Sequence, residues 1–328
     1  MLLWYINIMK KYKCASFFAG VGGIDLGFEQ TRHFDVLYAN EFDENPVKTY
    51  ENNFDLKVDC KDIKEVNPKD IPDIDVLFGG FPCQPFSVAG YRQGLKDEKG
   101  RGELFFELIR IIKAKKPKVV FLENVKNLVG HDNGKTFSII INELEKNRYH
   151  VKYQVLNGMY YGNVPQNRER IYIVAFKDKK AYEKFDFPKP IELTNALSNV
   201  IGYNKKVEDK YYYTKEKYPD IVKEFNKTEL RNNTVYQWRR KYVRENKSNV
   251  CPTLTANMGE GGHNVPLVST KYGLRKLTPK ECFNLQGFPN DFKLPKIADV
   301  HLYKQAGNSV VVPVIRRIAE NIYRAINE

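Results

Sequence analysis

Short apolar runs that end on a glycine or an acid, each followed by residues at helical spacing, dominate the first half of this chain and confine it to an α/β fold. Lys13 to Phe18 (KCASFF) reads as a strand running into Ala19-Gly20-Val21-Gly22-Gly23, with a helix starting at Ile24. Val36 to Ala39 is a second strand, ending at Asn40-Glu41. Asp75 to Phe78 is another, capped by Gly79-Gly80, and Lys118 to Leu122 another, ending at Glu123-Asn124. Between them Leu104, Phe105, Leu108, Ile109 and Ile112 recur at helical spacing, as do Phe137, Ile140, Ile141 and Leu144. The alternation predicts a mostly parallel sheet covered on both faces, joined later by strands over Val151 to Leu156 and Arg170 to Phe176.

At 328 residues a single core is near its usual limit, so a large domain and a smaller one are expected. Phe185 to Pro190 (FDFPKP) reads as the boundary. Beyond it Asn, Lys and Tyr dominate, helical periodicity weakens, and Gly259 to Gly262 (GEGG) interrupts any long element. Apolar spacing returns at Leu277, and Val310 to Ile322 reads as a long helix packing back on the first domain. The expected division is residues 1–188, 189–274 and 275–328.

Met1 to Met9 (MLLWYINIM) stops at Lys10 after nine residues, about half of a membrane span, and lacks the basic flank of an export signal; Met9 is an alternative start. The five cysteines, Cys14, Cys60, Cys83, Cys251 and Cys282, form no CxxC pair and have no His at ligand spacing. A reducing cytoplasm, no membrane association and no metal are expected. With 53 Lys and Arg against 40 Asp and Glu, the net charge of +13 steers the chain toward a polyanion without naming one. Lys227 to Lys247 concentrates it: seven Lys or Arg against two Glu, with Tyr236, Trp238 and Tyr242 interleaved.

Gly20, Gly22 and Gly23 follow one strand and Glu41 ends the next, the arrangement that lets backbone N–H groups approach a nucleoside while a carboxylate takes its ribose. FAGVGG is not the GxGxxG dinucleotide pattern, which favours an S-adenosyl cofactor over a nicotinamide one. Phe18 and Phe42 flank this turn, as adenine-stacking residues or as core. Asp62, in KDIKEV, either accepts from an adenine amino group or faces solvent.

Cys83, in Phe81-Pro82-Cys83-Gln84-Pro85, comes directly after Gly79-Gly80 at the ligand-binding edge of a parallel strand, held between prolines on a stiff backbone. Glu123 ends another strand on the same edge. A thiolate and a carboxylic acid beside a nucleoside site suit covalent group transfer, above all methylation of cytosine C5, a carbon too weakly nucleophilic until a thiolate adds at C6. Arg168 and Arg170, in QNRER, alternate into a strand and so face different ways. One is placed to bind a phosphate or base carbonyl while the other anchors a carboxylate, the competing reading being a structural ion pair for each.

Taken together, FAGVGG (Phe18 to Gly23), GGFPCQPFS (Gly79 to Ser87), ENV (Glu123 to Val125), QNRER (Gln166 to Arg170), RKLTPKECFNLQGFP (Arg275 to Pro289) and GNSVVVPV (Gly307 to Val314) resemble the ordered motifs of the DNA (cytosine-5) methyltransferase family, bacterial restriction-modification type. The resemblance spans nearly the whole chain. It implies a Rossmann-like S-adenosylmethionine-dependent domain with a smaller target-recognition domain, acting on a cytosine flipped out of double-stranded DNA. It implies Cys83 as nucleophile, Glu123 as base-binding acid, Arg168 and Arg170 beside them, and Phe18, Gly20, Gly22, Gly23, Glu41, Phe42, Asp62, Pro82, Asn308 and Ser309 around the cofactor, whose product is S-adenosylhomocysteine. In some relatives a serine beyond PCQ helps fill the gap left by the flipped base; the corresponding position here is Ala89.

For DNA contacts the expected residues are Ser87, Arg92, Arg239, Arg240, Arg244 and Thr253, the last in CPTLTANMGEGGHN, which resembles a threonine-leucine element of such recognition regions. The glycine-rich, cationic stretch after Ser87 reads as a loop able to close over DNA. A monomer is expected, with a separate restriction endonuclease and no stable complex between them. The alternatives are an RNA-directed relative, a catalytically silent DNA-binding protein and a nicotinamide dehydrogenase.

Overall fold

The computed structural model describes residues 11–82, 103–228, 230–231, 233–239, 241–260 and 264–327. Cys83, Ser87, Ala89, Arg92 and Arg240 lie outside them. Seven strands come first: β1 (Tyr12–Phe17), β2 (Phe34–Asn40), β3 (Val76–Gly79), β4 (Val119–Val125), β5 (His150–Asn157), the two-residue β6 (Gln166–Asn167) and β7 (Glu169–Phe176). All but β6 form one sheet, ordered β2-β1-β3-β4-β7-β5. The first four strands of that order run parallel, whereas β7 is antiparallel to both β4 and β5. An antiparallel return needs no long crossover helix, and only residues 158–168 separate β5 from β7. The consequence is functional: β7 starts where β4 ends, with Arg170 opposite Val125.

Helices α1 (Gly23–Glu29), α2 (Glu44–Glu51), α3 (Glu103–Lys115) and α4 (Lys135–Lys146) alternate with the strands as the periodicity predicts. Alternate residues of each strand feed two cores. Val119 and Phe121 pack with α1 and the last helix, Val120 and Leu122 with Leu108 and Ile112 of α3 and Ile140 and Leu144 of α4. Such buried aliphatic chains contribute roughly 1.5–3 kcal/mol each.

The region after residue 188 is built of shorter pieces: α5 (Pro219–Asn226) and the strands β8 (Tyr236–Trp238), β9 (Val243–Glu245), β10 (Cys251–Pro252), β11 (Leu267–Thr270) and β12 (Gly273–Lys276). Four of them form an antiparallel sheet, β12-β11-β8-β9, over a small core of Tyr213, Ile221, Phe225, Tyr236 and Leu267. Because β12 belongs to this sheet, it straddles the expected boundary at residue 274. The fifth, β10, pairs with β6 in a separate two-stranded sheet and ties the region to the segment that leads into β7. A second tie is the fully buried Arg275, whose guanidinium donates to both Glu281 oxygens at 2.8 and 2.7 Å and to the Gly202 carbonyl. Glu281 also completes the capping box with Thr278 that starts α6 (Pro279–Leu285).

The chain then returns through α7 (Asp299–Asn308) and α8 (Val312–Asn327). α8 begins two residues later than the apolar spacing suggests, with Pro313 in its first turn where a missing N–H costs little. Ile315, Ile318, Ala319 and Ile322 form its buried stripe. Gly27 of α1 permits their close approach, since a Cβ there would sit 2.5 Å from Ile315.

Candidate active site

The site forms where the parallel strands end. After β1 the chain turns sharply, with Phe18, Gly20 and Gly22 in the left-handed region at φ 52°, 55° and 80°. The turn delivers the Gly20 N–H to Glu41 Oε2 at 2.8 Å, while Asp43 N–H donates to Glu41 Oε1 at 2.9 Å. The Glu41 carboxylate at the end of β2 is thereby fixed in orientation. Asp43 caps α2 by accepting from Asn45 N–H, and its other oxygen pairs with Lys304 of α7 at 3.1 Å. Its pKa is lowered: partial burial opposes ionisation, and the Asn45 N–H and the Lys304 ammonium more than offset it.

These elements wall a cavity of about 680 Å³. Phe18, Gly20, Gly23, Glu41, Phe42 and Asp62 line it on the side of the first strands. Pro82, Asn308 and Ser309 line it from the other segments. Gly22 is the exception and corrects the expectation for it: it stands outside the cavity, where a Cβ would come within 2.4 Å of the Phe54 ring, so the glycine serves the turn and its packing. Phe18 is partly buried against the core, whereas Phe42 is 72% exposed on the cavity rim. Asp62 is half-buried and caps a short helical turn through Lys64 N–H at 2.9 Å. Two buried polar atoms on the walls, Ser309 Oγ and Gln305 Nε2, have no partner among the described residues. An oriented carboxylate, a free aromatic face, glycine backbone and unmet hydrogen-bonding groups fit a nucleoside bearing a polar tail.

Glu123 stands at the far end of this cavity, buried on β4. Burial raises its pKa, against the lowering effect of the Arg170 and Arg168 guanidiniums. Arg170 Nε lies 3.1 Å from Glu123 Oε1, a contact that falls short of hydrogen-bond alignment and leaves that oxygen with no donor among the described residues. Neighbouring Asn124 donates from Nδ2 to the Phe81 carbonyl at 2.8 Å, holding the segment that leads to Pro82 against β4.

The two arginines face different ways, as their alternation predicts, and both line this cavity with Glu123. Arg168 is 2% exposed, and its terminal amino groups donate to the carbonyls of Leu254, Gly307 and Ser309 at 2.8, 2.9 and 2.5 Å. Burial, then Arg170, pulls its pKa down to about 9, which leaves it charged at neutral pH. These bonds make Arg168 a clamp between the segment at Leu254 and the returning segment at Gly307 and Ser309.

A second cleft of about 500 Å³ opens outward from the same place, since Val125 and Arg170 line both. Its walls are Lys126, Asn127, Asn167 and Glu169 on one side and Gln237, Arg239 and Arg244 on the other. Arg244 stands directly opposite Gln237 in the β8–β9 pair, and Arg239 donates to Gln237 Oε1 at 3.0 Å. Thr253 lines the cleft too, its hydroxyl donating to the Asn167 carbonyl at 2.5 Å. Gln237 and Gln305 escaped the reading of the sequence. The signal for Gln237 was its position two residues before Arg239, on the same face of a strand.

Among the described residues no cluster of three or more His, Cys, Asp or Glu could hold a metal ion, and no helix is long and apolar enough to cross a membrane.

Comparison with known proteins gives the geometry its context. The family profile for C-5 cytosine-specific DNA methylase matches residues 12–324. The chain is 62% identical over 315 residues to Type II methyltransferase M.Bsp6I of Bacillus sp. strain RFL6, covering 95% of this chain and 98% of that one. It is 37% identical to Type II methyltransferase M.HhaI of Haemophilus parahaemolyticus, with 94% of each covered. In fold it is similar to the Entamoeba histolytica methyltransferase EhMeth, at a TM-score of 0.73 and 22% identity over 97% of this chain and 100% of that one. The match to a profile across almost all of its length, and to relatives at 62% and 37% identity, means that this chain belongs to the C-5 cytosine-specific DNA methylase family.

Proposed function

We propose that this chain carries out DNA (cytosine-5-)-methyltransferase chemistry on a cytosine flipped out of a specific sequence in double-stranded DNA, with Cys83 as the attacking nucleophile. The observation that carries the reading is Glu123: a buried carboxyl group with a raised pKa and an oxygen lacking a donor among the described residues, in the inner cavity beside Arg170, which lines both cavities. A flipped base entering through the outer cleft meets Glu123 there, and the protonated acid donates to cytosine N3. Cys83 follows Pro82, which lines the same cavity.

Addition of the Cys83 thiolate at C6 makes C5 nucleophilic, and donation from Glu123 neutralises the charge that develops on the ring. Arg170 holds Glu123 in place. Once C5 carries the methyl group, a base takes the C5 proton, the C6–sulfur bond breaks to release the Cys83 thiolate, and the N3 proton returns to Glu123 as the aromatic ring is restored. S-adenosylmethionine, when bound, supplies an electrophilic methyl group and leaves as S-adenosylhomocysteine. Glu41 holds its ribose, Phe18, Phe42 and Asp62 its adenine, and Gly20, Gly23, Pro82, Asn308 and Ser309 the remainder.

The 189–274 region serves as target-recognition domain, with Arg239, Arg244 and Thr253 at the cleft and Arg240, Ser87 and Arg92 as further DNA contacts. The enzyme acts as a monomer in a bacterial cytoplasm. A separate restriction endonuclease cuts the same site when it is unmethylated, as the type II designation of the relatives suggests.

Duplex DNA carrying 5-fluorocytosine at the target tests the reading, since fluorine cannot leave as a proton. With cofactor present, a covalent protein–DNA band is expected for the wild type and almost none for Cys83→Ser. An adduct mapped to Cys14, Cys60, Cys251 or Cys282, methylation at a cytosine or adenine amino group, or activity confined to tRNA would overturn it.

A further inference from the structure

Gln305 lies on α7, 4% exposed, at the wall of the larger cavity. Thr49 Oγ1 of α2 donates to its Oε1 at 2.7 Å, a buried bond between residues 256 apart in sequence. With Oε1 taking the Thr49 proton, the Nε2 end of the amide is the one turned away from Thr49. Its Nε2 is buried with no partner among the described residues. An unsatisfied buried donor costs about 1–3 kcal/mol, so this amide calls for an acceptor beyond the described residues.

The neighbouring wall says what kind. His301, Lys304, Gln305 and Asn308 recur at the i, i+3, i+4, i+7 spacing of one helix face, and all four line the cavity. Glu41, Asp43 and Asp62 line it from the other segments. One wall thus offers donors and the other carboxylates. A ribose suits the acidic wall, because its hydroxyls donate. A carboxylate suits the donor wall. Lys304 is already paired with Asp43, whereas Gln305 Nε2, like Ser309 Oγ, is buried with no partner among the described residues.

We propose that Gln305 is a cofactor-binding residue whose Nε2 donates to the amino-acid carboxylate of S-adenosylmethionine, with Thr49 as the positioning residue that locks it. The inference rests on the reading of this cavity as the cofactor site. Calorimetry separates the two ideas with two probes: S-adenosylhomocysteine, and methylthioadenosine, which lacks the amino-acid end. Failure of the wild type to bind S-adenosylhomocysteine overturns the cofactor reading itself. If it binds, Gln305→Met is expected to weaken S-adenosylhomocysteine about tenfold or more and to leave methylthioadenosine within about twofold. Thr49→Val should give a smaller loss in the same direction and no further loss when combined with Gln305→Met. Should Gln305→Met fail to fold, Gln305→Glu has the same size and presents an acceptor to the carboxylate, so it should weaken S-adenosylhomocysteine and spare methylthioadenosine. Unchanged affinity for S-adenosylhomocysteine in a folded Gln305 variant, or equal losses for both probes, overturns the assignment.

Discussion

The two cavities meet at Arg170 but are built from different material. The inner one is walled by the ends of β1, β2, β3 and β4 and by α7, all anchored in cores whose side chains are almost wholly excluded from water. The outer one is faced by β8 and β9, three residues each, with Arg239 just after β8 and Arg244 on β9, both exposed. Groups that must act on a reacting atom are held by rigid elements, whereas groups that choose a partner sit on short elements whose replacement leaves the core intact. Arg170 belongs to both regimes: it pairs with buried Glu123 and also borders the outer cleft.

The largest expected effect tests the inner cavity. Glu123→Gln keeps the side chain's size and removes its transferable proton, so single-turnover methyl transfer should slow by about a hundred- to ten-thousand-fold while the protein stays folded and binds DNA. A loss of less than about tenfold would mean that the buried acid is structural only.

Arg168 sharpens the contrast in stability. Replacing it by Met strands three buried carbonyls, and urea unfolding should register a loss of about 3 kcal/mol or more. Arg244→Ala, on an exposed strand of the outer cleft, should stay within about 0.5 kcal/mol of the wild type. Equal losses in the two variants would show that the outer hairpin is part of the folding core.

Much of this division can be read from the sequence, for a physical reason. Glu41 and Glu123 end apolar runs flanked by helical periodicity, so strand position alone puts them on the ligand edge. The direction of β7 leaves no mark in its own residues. QNRER therefore told us that Arg168 and Arg170 point apart without telling us which one meets Glu123. Gln305 was equally hidden, because an amide on a helix reads as surface until α2 is seen to pack beside it. In the region after residue 188, strands of two to four residues are too short for alternation to show.

Beneath the glycine turn, Asp25 is fully buried, accepting from Ser16 Oγ at 3.0 Å and Tyr50 OH at 2.8 Å. Burial, only partly offset by these two donors, pushes its pKa up to about 7 from an ordinary 3.8. A carboxyl whose folded pKa is raised contributes stability that is present below the unfolded value and lost as pH rises through the folded one. The difference in unfolding free energy between wild type and Asp25→Asn should therefore shift against the wild type between about pH 4 and 7, by up to roughly 4 kcal/mol, and level off above that window. A difference that does not change with pH would mean that Asp25 stays ionised throughout.

The smallest effect belongs to the outer cleft, and it is where the comparison is most easily broken. Arg239 and Arg244 are exposed and lie on the face of β8–β9 that borders the cleft, so each can reach either a phosphate or a base edge. A phosphate contact is lost uniformly over all DNA sequences and lowers the slope of log affinity against log salt by about 1. A base contact is lost only on the correct site, at about 1–3 kcal/mol, and relaxes the choice at one position. Arg239 already donates to Gln237, which holds its guanidinium over the cleft, whereas Arg244 faces Gln237 from the next strand with no such bond among the described residues. A pre-oriented fork suits a base edge better than a freely moving one. Arg239→Ala is accordingly expected to narrow the gap between specific and non-specific binding, and Arg244→Ala to weaken both alike with a shallower salt slope. Affinity titrations at two salt concentrations, on cognate and scrambled duplexes, separate the outcomes. If both variants act only through the salt slope, this face of the hairpin positions DNA, and its sequence is read from elsewhere in the chain.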